Sequence, residues 1–114
     1  MEYLVRFQRI PTAYSNKECV LVEADDPVKA VLVMRDKLLR RGDDPAGFVP
    51  NIGHHLRELK KLHAEGVHND SVRGNATLYN RSPEEELAKK IEYHQRMMRE
   101  EVDKYVTPYE CGTH

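Results

Sequence analysis

Apolar and polar residues alternate near the N-terminus with the period of a half-buried β-strand. Within residues 3–9, Val5 and Phe7 are separated by polar side chains, so one face of the strand is apolar and the other is polar. Residues 18–23 form a second, β-branched run, and the segment between the two runs contains Pro, Ser and Asn, which favour a loop. So short a link cannot form a parallel crossover, and the pattern therefore predicts an antiparallel hairpin.

The next segment has the period of a helix, and both of its ends carry the expected signals. One of the two aspartates before Pro27 can cap a helix over 27–41, and Gly42 suits the left-handed position after its end. Apolar residues form one broad face, and we expect Leu32 at its centre. The members of this face are Val28, Ala30, Val31, Leu32, Val33, Met34, Leu38 and Leu39. A buried helix covering one face of a hairpin predicts an α+β fold.

Two shorter elements are predicted in the middle of the chain. Apolar residues recur near helical spacing within 53–65, and Gly66 can end this second helix. Residues 76–79, Ala-Thr-Leu-Tyr, are compatible with a short strand. A two-stranded hairpin is marginal by itself, so a third strand or packing against a helix is needed.

A long amphipathic helix is predicted to follow. Ser82 is a suitable N-cap, Pro83 suits the first turn, and Glu85 completes a capping box. A narrow apolar seam then repeats every three or four residues, at Leu87, Ile91, His94, Met98, Val102 and Tyr105. We expect residues 107–114 to be a frayed tail and residues 1–114 to form a single domain.

Composition narrows the classes of protein to which the chain can belong. Its 114 residues carry 18 Lys and Arg against 19 Asp and Glu, so there is no overall attraction to nucleic acid or anionic lipid. Cys19, in the second predicted strand, is expected to be buried, and two cysteines make no disulfide framework. No apolar run is long enough to span a membrane. We expect a cytoplasmic protein, in the host cytoplasm if it is viral.

Four of the six histidines lie within residues 51–68, and helical spacing decides what they can do. On a helix, the side chains of His54 and His55 diverge by about 100°. His63 shares a face with His55 but lies roughly 12 Å further along the axis. Two such imidazoles cannot easily share an ion whose ligands lie at about 2.0–2.1 Å. Glu58 could pair with either neighbour, which would make two ligands.

A third ligand for such a pair is not evident from the sequence. Folding could still assemble a site from His54, His68, Cys111 or His114, and His94 is assigned to the core-facing seam of the last helix. We therefore expect no metal site and no cofactor. The chain also lacks a phosphate-binding glycine loop, a nucleophile elbow and a Cys-x-x-Cys pair, so an enzyme is disfavoured.

Charge is distributed unevenly along the chain. Residues 35–81 contain nine Lys and Arg against six Asp and Glu, whereas residues 82–114 contain five against eight. If the first two helices pack together, the basic residues form a candidate phosphate-binding patch composed of Arg40, Arg41, Arg57, Lys60 and Lys61. The seam and flank of the last helix form a candidate surface for a protein partner or a second copy of the chain, composed of Met98, Glu101, Val102 and Tyr105.

These observations favour a small non-enzymatic accessory or regulatory protein that acts by binding another protein, with a homodimer as the simplest case. A nucleic-acid-binding accessory protein that uses the basic patch is the second hypothesis. A small hydrolase or metal-binding protein is the third. A short α+β chain with a long charged terminal helix resembles the general layout of many small accessory proteins of phages and bacteria, although no diagnostic residue identifies a family.

Overall fold

A computed structural model of the chain describes residues 1–10 and 16–109. It contains four helices, α1 (Pro27–Arg40), α2 (Gly53–Glu65), α3 (Asp70–Leu78) and α4 (Pro83–Asp103), and four strands, β1 (Glu2–Arg9), β2 (Lys17–Glu23), β3 (Phe48–Val49) and β4 (Val106–Pro108). The predicted α+β fold is therefore confirmed.

The chain divides into two compact units. The first unit comprises Met1–Gly53 and Arg99–His114, and the second comprises His54–Met98. The organisation into a single domain stays a prediction.

Strand β1 is the centre of the sheet in the first unit. It pairs antiparallel with β2 from Glu2 opposite Glu23 to Gln8 opposite Lys17, which confirms the predicted hairpin. The other side of β1 pairs with β4 at residues 3–5 and with β3 at residues 8–9. Residues 107 and 108 of the predicted frayed tail therefore belong to a strand, and residues 110–114 lie outside the described residues.

Helix α1 begins and ends at the predicted signals. Asp26 caps it by accepting a hydrogen bond from the backbone N–H of Lys29 at 2.9 Å. At the other end Gly42 adopts a φ of +85°, and the N–H groups of Gly42 and Asp43 donate to the carbonyls of Leu39 and Leu38 respectively. This pair of bonds is a Schellman motif, which satisfies carbonyls that the last helical turn leaves free.

The core of the first unit corrects two predictions. Its centre on α1 is formed by Val31, Met34 and Leu38, whereas Leu32 is 39% exposed, so the buried face is rotated away from the predicted centre. Cys19 is also exposed rather than buried. It lies opposite Arg6 in the sheet, and the alternation of side chains places both on the face that β1 turns away from its buried residues. Those buried residues are Tyr3, Val5 and Phe7.

The second unit is helical, and one of its helices replaces a predicted strand. Asn69 caps α3 by accepting a hydrogen bond from the N–H of Val72 at 3.1 Å, and Val72 and Ala76 are buried four residues apart. Residues 76–78 therefore complete a helix, because a side-chain cap and a period of four outweigh the strand propensity of a four-residue run. Gly66 has a φ of +55° just after α2, as its predicted end requires.

Helix α4 begins as predicted, with the hydroxyl of Ser82 accepting a hydrogen bond from the N–H of Glu85 at 3.1 Å. Its first turn carries three glutamates, which favour the positive end of the helix dipole. One of them, Glu86, is buried and accepts a hydrogen bond from Arg81 at 3.0 Å. None of the described helices is both long and apolar enough to cross a membrane.

Candidate metal centre

Three histidines from two helices meet in the second unit. His54 and His55 lie in the first turn of α2, directly after Gly53, and His94 lies in α4. One ring nitrogen of each histidine can be chosen so that all three lie within 4.8 Å of one another. Among the described residues, no other His, Cys, Asp or Glu belongs to this group of potential metal ligands. We call them the histidine cluster.

The ring of His94 contacts both histidines of α2. Its Nδ1 lies 3.0 Å from Nδ1 of His55, and its ring centroid lies 5.3 Å from that of His55 and 5.8 Å from that of His54. The two histidines of α2 have centroids 5.3 Å apart. Adjacent side chains on a helix diverge by about 100°. The three centroid distances are nevertheless similar, because His94 of α4 lies close to both His54 and His55.

The separations in the cluster are close to those of a coordination shell. Nitrogen ligands bound tetrahedrally at about 2.0–2.1 Å from zinc lie about 3.3–3.4 Å apart. The Nδ1 atoms of His55 and His94, 3.0 Å apart, are slightly closer than this, and a separation of 4.8 Å, the limit within which all three ligand atoms lie, would have to close by about 1.5 Å. His54 is exposed and the other two are half-buried, so a rotation of the His54 side chain can supply this movement without disturbing a core.

The surroundings of His94 favour its uncharged form. Burial lowers its pKa below the ordinary value of 6.5, and the neighbouring His55, His54 and Lys90 act in the same direction, while the carboxylate of Glu58 opposes them. The uncharged imidazole is the form that binds a metal ion.

Spacing along a single helix could not reveal this cluster. The expectation of no metal site weighed ligands along α2 and a site assembled by folding from His54, His68, Cys111 or His114. His63 and His68, which are exposed, are not part of the cluster. Cys111 and His114 lie outside the described residues. The missed ligand is His94, whose assignment to the apolar seam of α4 was itself a signal, because a polar ring at a core-facing position needs a partner.

The predicted partner surface on α4 is partly buried in the chain itself. Met98 is 8% exposed and Val102 is fully buried. Glu101 and Tyr105 are half-buried, and the carboxylate of Glu101 lies 3.6 Å from Nζ of Lys104. The two apolar residues are therefore buried in this conformation, while Glu101 and Tyr105 keep part of their surface accessible. Binding of a partner or of a second copy stays a prediction.

The predicted basic patch is divided between the two units. In the first unit, Arg40 pairs with Asp36 at 2.8 Å, and Arg41 donates to both carboxylate oxygens of Glu18 at 3.0 and 3.1 Å and also to Asp43. These bonds raise the pKa of Arg41 and leave its guanidinium little capacity for phosphate.

The other three members of the patch, Arg57, Lys60 and Lys61, are exposed in the second unit. The expectation that the two basic clusters adjoin stays a prediction.

No family model matches this sequence, and it has no detectable similarity to a curated protein or a solved structure.

Proposed function

We propose that this protein binds a divalent transition-metal ion, with Zn²⁺ as the leading candidate, through His54, His55 and His94. The observation that carries the proposal is the convergence of three imidazoles from two helices to within 4.8 Å. Imidazole suits Zn²⁺, Cu²⁺ and Ni²⁺ better than it suits Mg²⁺ or Ca²⁺, which prefer oxygen ligands. This proposal develops the third hypothesis drawn from the sequence, a metal-binding protein, and not the first, an accessory protein that binds another protein.

Three protein ligands define what kind of metal site this would be. Structural zinc sites are closed by four protein ligands, whereas sites that bind water or an exchangeable ligand have three and an open position. The histidine cluster supports the second kind. A bound ion would carry a water molecule or a small ligand at the fourth position, and it would lower the pKa of a bound water molecule.

A hydrogen bond between His55 and His94 could also serve only to join two helices, and the two roles have different consequences. A bond that only joins helices contributes about 0.5–1.5 kcal/mol to folding, whether or not metal is present. A metal site adds stability that depends on ion concentration, about 2.7 kcal/mol when free zinc is 100 times its Kd. The dependence on zinc therefore separates the two roles.

The experiment compares two single substitutions of histidines in untagged protein that has been stripped with a chelator. His94→Ala removes a member of the cluster, and His63→Ala is the matched control because His63 is an exposed histidine outside the cluster. Isothermal titration with Zn²⁺ should give one ion per chain for the unmodified protein and the control. Loss of a direct ligand should weaken binding by more than the roughly 10–100-fold that loss of a supporting residue costs.

Thermal unfolding with and without zinc supplies an independent reading. The melting temperature of the unmodified protein and of His63→Ala should rise with zinc, while that of His94→Ala should not. Equal zinc affinity for His94→Ala and His63→Ala, with both variants folded by circular dichroism, would refute the proposal. So would the absence of stoichiometric binding by the unmodified protein.

A further inference from the structure

The first unit contains a small groove on the face of the sheet that β1 turns away from its buried side chains. Its walls are formed by β1, β2 and the turn that follows α4, and its volume is about 280 Å³. Arg6 and Gln8 of β1 lie opposite Cys19 and Lys17 of β2 in the antiparallel register. All of its lining residues belong to the first unit; they are Arg6, Phe7, Gln8, Lys17, Cys19, Lys104 and Tyr105.

The lining of this groove is positively charged. Arg6, Lys17 and Lys104 line it, and none of its lining residues is acidic. Outside the lining, Nζ of Lys104 pairs with the carboxylate of Glu101 at 3.6 Å. Lys104 is exposed, Glu101 is half-buried, and the two residues are three positions apart, so the ion pair is weak and easily exchanged. Three cations without an acidic neighbour in the lining favour a ligand that carries more than one negative charge.

One of the three cations is already held in place. The Nη2 atom of Arg6 donates a hydrogen bond of 3.0 Å to the backbone carbonyl of Lys104, and the backbone N–H of Arg6 donates to the carbonyl of Tyr105 at 2.8 Å. A guanidinium has five N–H donors in a planar fork, so several remain for an anion. An arginine fixed by a backbone carbonyl loses less conformational freedom on binding than a free one.

Size and aromatic lining narrow the ligand class. A volume of about 280 Å³ lies just below the usual range of small-molecule sites, about 300–1,000 Å³, so it suits one nucleotide and not a larger compound. Tyr105 is half-buried in the wall, and aromatic rings of this kind stack on nucleobases. Lysine and arginine together are the usual partners of phosphate oxygens.

We propose that the groove lined by Arg6, Lys17, Lys104 and Tyr105 binds a nucleotide, with its phosphate on the three cations and its base against the tyrosine. The same chemistry is presented by a free nucleotide and by one nucleotide of a single strand. This site is independent of the histidine cluster, and it differs from the basic patch predicted from sequence, whose members Arg40 and Arg41 are engaged in ion pairs.

Two probes distinguish the sources of the nucleotide. AMP is titrated by calorimetry, and a short fluorescein-labelled oligothymidine is titrated by fluorescence anisotropy, both at low salt. Stronger binding of the oligonucleotide than of AMP indicates a single strand, and comparable binding indicates a free nucleotide. Either outcome supports the groove, provided that the substitutions below weaken binding.

The key variant is Arg6→Gln with Lys17→Gln, and the control is Lys29→Gln with Arg40→Gln. Both remove two positive charges from the first unit, but the control residues lie on α1 and do not line the groove. The groove variant should lose at least about tenfold in affinity for either probe, because two of the three cations that contact the phosphate are removed. For the oligonucleotide, each lost phosphate contact should also reduce the dependence of log Kd on log salt by about 0.7–0.9. The control should retain both the affinity and the salt dependence.

Lys17→Gln alone guards against a folding artefact, because Lys17 is exposed at the first position of β2 and makes no ion pair among the described residues. This single variant keeps Arg6 and its hydrogen bond to the turn after α4. It should therefore weaken binding without disturbing that turn. Equal affinities for the groove variant and the control would overturn the proposal, as would failure of the unmodified protein to bind either probe.

Discussion

The clearest test of the fold compares alanine substitutions of two neighbouring leucines on α1. Leu38 is 1% exposed, whereas Leu39 is 60% exposed. Leu38→Ala and Leu39→Ala remove the same atoms from the same helix turn, so the two substitutions differ mainly in the surroundings of the side chain. The comparison therefore tests which face of α1 is buried, without a change in chemistry or in helix propensity.

The expected magnitudes follow from burial. Complete burial of a leucine side chain contributes about 1.5–3 kcal/mol, and removal of a buried one also leaves a cavity, so Leu38→Ala should cost about 2–5 kcal/mol of the free energy of unfolding. Leu39 retains about two-fifths of that burial and leaves no cavity, so its substitution should cost about 1 kcal/mol or less. Leu32, at 39% exposed, should fall between these two.

Urea unfolding followed by circular dichroism at 222 nm gives the free energies. Because the chain divides into two compact units, the curves are first tested for a single transition. If two transitions occur, the one that shifts in Leu38→Ala is assigned to the first unit. Equal costs for Leu38→Ala and Leu39→Ala, or a larger cost for Leu39→Ala, would show that the buried face of α1 has been assigned wrongly.

Two further predictions concern the charged side chains. The hydrogen bond from Arg41 holds the pKa of Glu18 below its ordinary value of 4.5, so this ion pair stabilises the fold above that pH and its contribution is lost as the pH falls through the lowered pKa. Arg41→Met should therefore lower the urea midpoint at pH 7, and its difference from the unmodified protein should shrink below pH 4.5; a constant difference would contradict this. If the second unit binds nucleic acid, reversal of Arg57 and Lys60 to glutamate should release the protein from heparin at lower salt, and unchanged retention would exclude this role.

Elements with local signals could be predicted from the sequence. The ends of α1 and the start of α4 depend on residues within a few positions of one another, such as Asp26 and Lys29, or Ser82 and Glu85. The hairpin was predictable because each of its strands carries its own alternating or β-branched pattern and the link between them is short. Strand β4 could not be predicted in this way. Three residues with a proline carry no strand signal, and β4 forms because β1 offers it a free edge at residues 3–5.

Burial on α1 shows a second limit of local patterns. Nearly every apolar residue of this helix fits a broad hydrophobic face, so the sequence alone does not decide whether Leu32 or Met34 is central. The decision comes from the sheet, whose buried face carries Tyr3, Val5 and Phe7. Cys19 of β2 lies opposite Arg6 of β1, on the other face of the sheet, and is therefore exposed.

The two proposed sites depend on contacts between residues far apart in sequence. His55 and His94 are separated by 39 positions, and Arg6 and Lys104 by 98, so neither pair has a spacing that a motif could capture. The histidine cluster belongs to the second unit and the basic groove to the first, and they share no residue. His94→Ala should therefore abolish zinc binding without changing nucleotide affinity, and Arg6→Gln with Lys17→Gln should do the reverse. Loss of both activities in either variant would indicate that it had unfolded or that the two ligands share one site.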